Sequence, residues 1–212
     1  MDRSSSKRLN QASRGPRRAS PEPGARISNL RSPPAQEGSR PNYELLILRH
    51  GIAVQREVGG ASPAAREDAK RPLTAKGKKR LQQIAAGLRR LGCKSDWIVT
   101  SPLVRAADTA ERVAAILAPR APLDVCAALS PGGSAEELLS FLATHPNRKR
   151  ILLVGHEPDL SALAARLMGA GAQANLAFKK GGCCLIRFAE HPSQSTGQLV
   201  WWLTPKLLRK FQ

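Results

Sequence analysis

Three short stretches of this chain carry side chains that could handle a phosphate group. Leu45–Leu48 is an apolar run that ends in Arg49, His50 and Gly51, and Ile151–Val154 is a second that ends in Gly155 and His156. Trp97, Ile98 and Val99 form a third, followed by Ser101 and Arg105. A neutral imidazole is a competent nucleophile near pH 7. Arginine forks match phosphate oxygens in a bidentate way and stay charged. Together these types fit transfer of a phosphoryl group, whose spread negative charge calls for preorganised donors. Each residue also has a plainer reading. Arg49 alone could be a surface arginine, His50 a strand-end histidine and His156 a loop histidine held by its neighbours. What sets the two histidines apart is that both stand just past an apolar run.

The elements that would position them follow from hydrophobic spacing. Leu45–Leu48 reads as a strand. Thr74 caps a helix whose apolar residues Leu81, Ile84, Ala85, Leu88 and Leu91 recur at helical spacing, with Gly92 at its end. Trp97-Ile98-Val99 is a strand, and Ser101-Pro102 reads as an N-cap and first-turn proline for a helix to about Leu117. On that reading Ser101 is only a cap. Pro122–Cys126 predicts a further strand. Ser134, with Glu137 three residues on, has the pattern of a capping box for a helix to about Thr144. Ile151–Val154 is another strand, Pro158 opens a helix to about Met168, and Cys183–Phe188 and Gln198–Leu203 close the series as strands. The adjacent Cys183 and Cys184 suit a buried strand of small residues, and His145 and His191 fall in loops without a role.

Alternation of strand and helix predicts an α/β fold, a three-layer α/β/α sandwich around a mostly parallel sheet. Parallel strands would bring both histidines out at the same carboxyl edge, where open α/β sheets bind ligands. Arg105 would reach that edge from the first turns of its helix, whose free N–H groups also favour an anion.

Composition narrows the setting. The chain has 212 residues, 34 Lys and Arg against 16 Asp and Glu, and a net charge of +18. Residues 1–40 hold nine basic and three acidic side chains, and the rest 25 and 13, so both parts are basic. Such a field favours phosphates, nucleic acid or acidic protein surfaces. Residues 1–40 are rich in Arg, Ser, Pro and Gly and lack periodicity, which predicts a disordered basic tail able to make weak nucleic-acid contacts. Residues 41–212 form the folded domain. The four cysteines show no paired spacing, no run approaches the roughly 18 apolar residues of a membrane span, and the N-terminus lacks the apolar stretch of a secretory signal. The expected location is cytoplasmic, with no membrane contact.

The motifs ILRHG, Arg71-Pro72-Leu73-Thr74, SPLVRAADTA from Ser101 to Ala110, and VGHEP from Val154 to Pro158 together resemble the histidine phosphatase superfamily. The short chain and the RPLT segment resemble its SixA-type phosphohistidine phosphatase branch. The resemblance spans residues 44 to about 203 and implies a phosphoglycerate-mutase-like fold. It implies that His50 is the nucleophile and carries the phosphoryl group. Arg49, Arg105 and His156 would surround the phosphate oxygens, and Arg71 matches the additional phosphate-site arginine of that branch. It implies neither cofactor nor metal.

Many members use a Glu or Asp as general acid, and the SixA-type branch generally lacks an obvious one. No carboxylate stands between Ala127 and Ser134 here, although Glu157 beside His156 is a candidate. The expected substrate is therefore phosphohistidine in a protein. A small phosphorylated metabolite is the alternative within enzymes, and a basic module for nucleic acid or polyphosphate the alternative outside them. The segment from Gly51 to Arg71 is expected to be a loop at the mouth of the site.

Overall fold

Strands with both faces apolar must be covered on both sides, and that requirement builds this molecule. The computed structural model describes residues 42–55, 68–171, 174–193 and 196–212. The tail at 1–40 lies outside the described residues, as does 56–67 of the segment expected to be a loop. Six strands form one sheet: β1 (Tyr43–Arg49), β2 (Trp97–Thr100), β3 (Leu123–Val125), β4 (Arg150–Gly155), β5 (Cys183–Phe188) and β6 (Gln198–Leu203), in the order β3-β2-β4-β1-β5-β6. The pairings among β1 to β4 are parallel, and β5 is antiparallel to both of its neighbours. The sheet is thus mostly parallel, with β5 alone reversed.

Four helices complete the layers: α1 (Ala75–Arg90), α2 (Val104–Leu117), α3 (Ala135–Ala143) and α4 (Asp159–Leu167). Side chains alternate along each strand, so odd and even positions feed different cores. Leu45, Ile47, Val99 and Leu153 pack with Leu138 and Leu142 of α3 and Leu160 and Leu163 of α4. Leu46, Leu48, Ile98 and Leu152 pack on the other side with Leu81, Ile84 and Leu88 of α1 and Ala106, Ala110 and Val113 of α2. This is the predicted α/β/α sandwich. A short helix α5 (Pro205–Leu208) closes against α1, where Leu208 is buried.

Local signals in the sequence explain most element ends. The Thr74 hydroxyl accepts from Gly77 N at 2.9 Å, starting α1, and Gly92 follows its end with a φ of 76° that favours glycine. Ser134 accepts from Glu137 N at 3.2 Å and so caps α3. Pro158 precedes the first residue of α4. The strand expected over Pro122–Cys126 is shorter, three residues long.

The cap expected at Ser101 is a different structure. Helix α2 begins at Val104, and its N-cap position is Leu103, which offers no side-chain cap. Ser101 N donates to Val154 O at 3.0 Å, so Ser101 still belongs to the ladder between β2 and β4. A residue committed to a strand ladder cannot also open the helix. Its buried hydroxyl accepts from Leu103 N, just ahead of the helix, rather than from a helical N–H.

Candidate active site

Strand register decides which residues meet. Arg49 of β1 pairs with Gly155 of β4, and His50 N donates to Gly155 O at 3.1 Å. His50 and His156 are thus the next residues on adjacent strands. Thr100 pairs with Val154, which brings Ser101 level with Gly155 on the other side of β4. One sheet edge therefore receives Arg49, His50, His156 and Ser101 side by side. The two imidazole rings lie 5.0 Å apart, tilted by 50°. His50, His156, Ser101 and Arg105 are all buried.

His50 is held in one orientation and one tautomer. Its Nδ1 is 2.7 Å from Gly51 O, and a carbonyl can only accept, so the ring proton sits on Nδ1. Nε2 is left with an exposed lone pair, the geometry of a nucleophile. Burial lowers the His50 pKa to about 3; the hydrogen bond to Gly51 opposes this, and the charges of His156, Arg105 and Arg49 add to it. The ring is neutral at pH 7. His156 is likewise pushed down to about 4, by burial first and then by Arg105.

Gly51 is tied in turn. Its N–H donates to the Thr109 hydroxyl at 3.0 Å, and that hydroxyl donates to Arg105 O at 2.6 Å. Thr109 thereby locks the loop carrying His50 to the helix carrying Arg105. Gly77 lets α1 approach the same loop: a Cβ there would stand 2.2 Å from Ile52 O.

The three arginines are arranged around the histidines by other backbone and carboxylate contacts. Arg49 Nη1 donates to Phe178 O at 2.6 Å. Arg105 Nη1 donates to Asp68 O at 2.7 Å, and its Nη2 lies 3.0 Å from Asp68 Oδ2. Arg71 uses Nε and Nη2 on Asp68 Oδ1, at 2.9 and 2.7 Å, while its Nη1 donates to Val54 O. One carboxylate therefore joins the two arginines. Burial alone would raise the Asp68 carboxyl, but Arg105 and Arg71 outweigh it and hold it below the usual carboxylate range.

Several polar atoms are left over. Among the described residues, five buried side-chain polar atoms lack a partner, and three of them belong to this cluster: Arg49 Nε, Arg105 Nε and His156 Nδ1. An orphaned buried polar group costs about 1–3 kcal/mol, and native proteins rarely leave several together. Unpartnered nitrogens on three residues around His50 are what a cradle for a tetrahedral anion would need. The cradle is basic and built of nitrogen donors. Among the described residues no group of three or more His, Cys, Asp or Glu side chains is placed to hold a metal ion.

Glu157, the candidate acid, is occupied elsewhere. Its carboxylate accepts from Phe178 N at 2.6 Å and from the Ser161 hydroxyl at 2.7 Å. Glu157 and Arg49 thus hold the two ends of the Phe178 residue, N–H and carbonyl. The Phe178 ring stacks on Trp202 at 3.9 Å between centroids.

The structure brings together all five residues singled out in the sequence, Arg49, His50, Arg71, Arg105 and His156. It adds three that sequence reasoning missed or undervalued: Asp68, Ser101 and Thr109. Asp68 stands three residues before Arg71 at the spacing of a helical ion pair, a signal that was available. Thr109 had none, because its partner Gly51 lies 58 residues away.

The paired histidines and the surrounding arginines, at one edge of the sheet, are an arrangement suited to phosphoryl transfer. The sequence matches the family model described as Histidine phosphatase superfamily (branch 1) over residues 45–130. An uncharacterized protein of Picosynechococcus sp. is 37% identical over 170 residues, covering 78% of this chain and 98% of that one. This chain belongs to the histidine phosphatase superfamily. Its fold is shared with the protein histidine phosphatase SixA complexed with tungstate, at a TM-score of 0.65 and 24% identity over 78% of this chain and 99% of that one. It is also shared with the alpha-ribazole phosphatase of Shigella flexneri, at a TM-score of 0.58 and 20% identity over 76% and 96%.

Proposed function

We propose that this member of the superfamily is a metal-independent phosphohistidine phosphatase of the SixA type, acting on phosphorylated protein. His50 Nε2 attacks phosphorus in line as the bond from phosphorus to the substrate imidazole breaks. Arg49, Arg71, Arg105 and His156 hold the phosphoryl oxygens through the transfer. The departing ring takes its proton from solvent and leaves neutral. Water then attacks the phosphohistidine formed on His50, releasing phosphate and restoring the free imidazole.

One observation carries the choice of substrate. Among the described residues, both carboxylates next to the site are engaged elsewhere: Asp68 is held ionised between Arg71 and Arg105, and Glu157 accepts from Phe178 N and the Ser161 hydroxyl. An alkoxide leaving group from a phosphate ester needs a proton as it departs. The P–N bond of phosphohistidine is labile, and its imidazole needs no enzymic acid. Hydrolysis of a small phosphate ester is the competing reading, and it would require a donor that these two carboxylates do not supply.

The test compares a phosphohistidine peptide with an alkyl phosphate, using the full chain and His50→Ala, with and without a chelator. The expected result is fast hydrolysis of the peptide, slow hydrolysis of the ester, indifference to chelator and loss of both activities in the variant. Equal rates on the two substrates would overturn the assignment of substrate, and activity surviving in His50→Ala would overturn that of the nucleophile.

A further inference from the structure

Ser101 is fully buried, and its Oγ lies 2.9 Å from His156 Nε2. That oxygen already accepts from Leu103 N at 3.3 Å. Its own proton still needs an acceptor. Among the described residues, His156 Nε2 is the acceptor in reach of the hydroxyl. Among the described residues the other ring nitrogen, Nδ1, is buried and has no partner. Two assignments of the ring proton are conceivable, and they are not equal. If Nε2 carried it, Ser101 would have to accept a second hydrogen bond, and its buried proton would be stranded. The anion cradle would then meet a lone pair on Nδ1. If Nδ1 carries the proton, the Ser101 hydroxyl is satisfied on both sides and Nδ1–H is a donor awaiting an oxyanion.

We propose that Ser101 is a positioning residue that fixes His156 in the Nδ1–H tautomer, so that a neutral imidazole donates to a phosphoryl oxygen. The two histidines of the site then hold the same tautomer for opposite purposes. In His50 the Nδ1 proton is spent on Gly51 O to free the Nε2 lone pair; in His156 the Nε2 lone pair is spent on Ser101 to free the Nδ1 proton. The partner of each ring, a carbonyl for one and a hydroxyl for the other, sets which nitrogen faces the chemistry. The hydroxyl also explains why Ser101 remains in the β2–β4 ladder: there it is level with Gly155, next to the ring it orients.

This inference rests on the phosphoryl-transfer reading of the site but not on the identity of the substrate, and its first test involves no turnover. In 15N-labelled full-length protein at neutral pH, the ring nitrogen shifts of His156 distinguish a protonated from an unprotonated nitrogen. The expected pattern is a protonated Nδ1 and an unprotonated Nε2, with Nδ1–H shifting on addition of inorganic phosphate. A proton on Nε2 would overturn the proposal whether or not the protein cleaves phosphohistidine.

The second test is a double-mutant cycle read as hydrolysis of p-nitrophenyl phosphate and, independently, as affinity for inorganic phosphate. Removing one preorganised oxyanion donor costs about 10²–10³ in kcat, so His156→Ala should fall in that range. Ser101→Ala, which lets the ring populate both tautomers, should lose about ten-fold. Ser101→Thr, which keeps the hydroxyl, should restore most of it. In a His156→Ala background Ser101→Ala should cost nothing further. A full additional loss there would show that Ser101 acts on folding alone and would overturn the proposal.

Discussion

Asp68 grips Arg105 twice, through its backbone carbonyl at 2.7 Å and its carboxylate at 3.0 Å. The same carboxylate holds Arg71. Two guanidinium groups that repel each other are thus kept together by an internal anion. Removing the charge should loosen both arginines. Asp68→Ala is expected to raise KM about ten-fold for any phosphorylated substrate, with a smaller change in kcat, because charge-assisted hydrogen bonds are worth about 1.5–3 kcal/mol. Inorganic phosphate should raise the melting midpoint of the variant less than that of the wild type, since loosened arginines bind it more weakly. Equal stabilisation of the two proteins would count against Asp68 as the counter-charge.

The pH dependence of activity and of stability should separate. In the proposed mechanism His50 attacks as a neutral ring, and its pKa is lowered to about 3 by burial. The value of kcat/KM reports the free enzyme and the free substrate, so once the substrate phosphoryl's own titration at about 6 is divided out it should stay level from pH 7 to about 4.5 in the folded protein. Stability behaves otherwise. His50 and His156 have folded pKa values of about 3 and about 4, below the ordinary 6.5. The unfolded chain therefore binds more protons between those values, so stability is full above 6.5 and falls as pH drops through that window. Asp68 adds its loss lower still, as pH falls through its depressed pKa. Denaturant melts at several pH values, beside initial rates, check both signs. An acid limb of kcat/KM centred near 6.5 would contradict the lowered His50 pKa.

Thr109 should behave as part of the site although it touches no substrate. Thr109→Val keeps the shape of the side chain and removes the hydroxyl that accepts from Gly51 N. The stranded N–H should cost about 1–3 kcal/mol, seen as a fall in melting midpoint of roughly 3–10 °C. The tether between the His50 loop and α2 is lost with it, so kcat should fall as well. A variant less stable but fully active when folded would show that the tether serves stability only.

Two glycines of α1 make a matched pair. A Cβ at Gly77 would meet Ile52 O at 2.2 Å, and one at Gly87 would meet Leu208 O at 2.0 Å. Both Gly77→Ala and Gly87→Ala should be destabilising, because the backbone atoms in the way cannot turn aside. Only the first displaces the residues that follow His50. Activity per folded molecule should drop about ten-fold or more in Gly77→Ala, since small displacements of a nucleophile are costly, and stay near the wild-type value in Gly87→Ala.

Much of this molecule could be read along the chain because its signals are local. The apolar runs at Leu45–Leu48 and Ile151–Val154 are strands because a parallel strand covered on both faces must be apolar throughout. Thr74 and Ser134 announce helices because their hydroxyls satisfy N–H groups within a turn, and Pro158 because its fixed φ suits a helix start. His50, His156, Arg49 and Arg105 stood out by type and by position after such runs; Arg71 came from the family resemblance, which gave all five a shared purpose. The sequence by itself therefore determined the layers and the edge of the sheet at which most of the candidate groups gather.

Tertiary structure decided how those groups are held. Ser101 looked like a cap, and only the ladder between β2 and β4 turns it into the partner of His156, 55 residues away. Asp68 becomes the bridge between Arg71 and Arg105 because α2 packs Arg105 against it across 37 residues. Glu157, next to His156 in sequence, is withdrawn by the Phe178 N–H, 21 residues on. Ring tautomers, counter-charges and the protonation of a carboxyl depend on which partner lies within about 3 Å. No spacing along a chain specifies that distance until the sheet has closed.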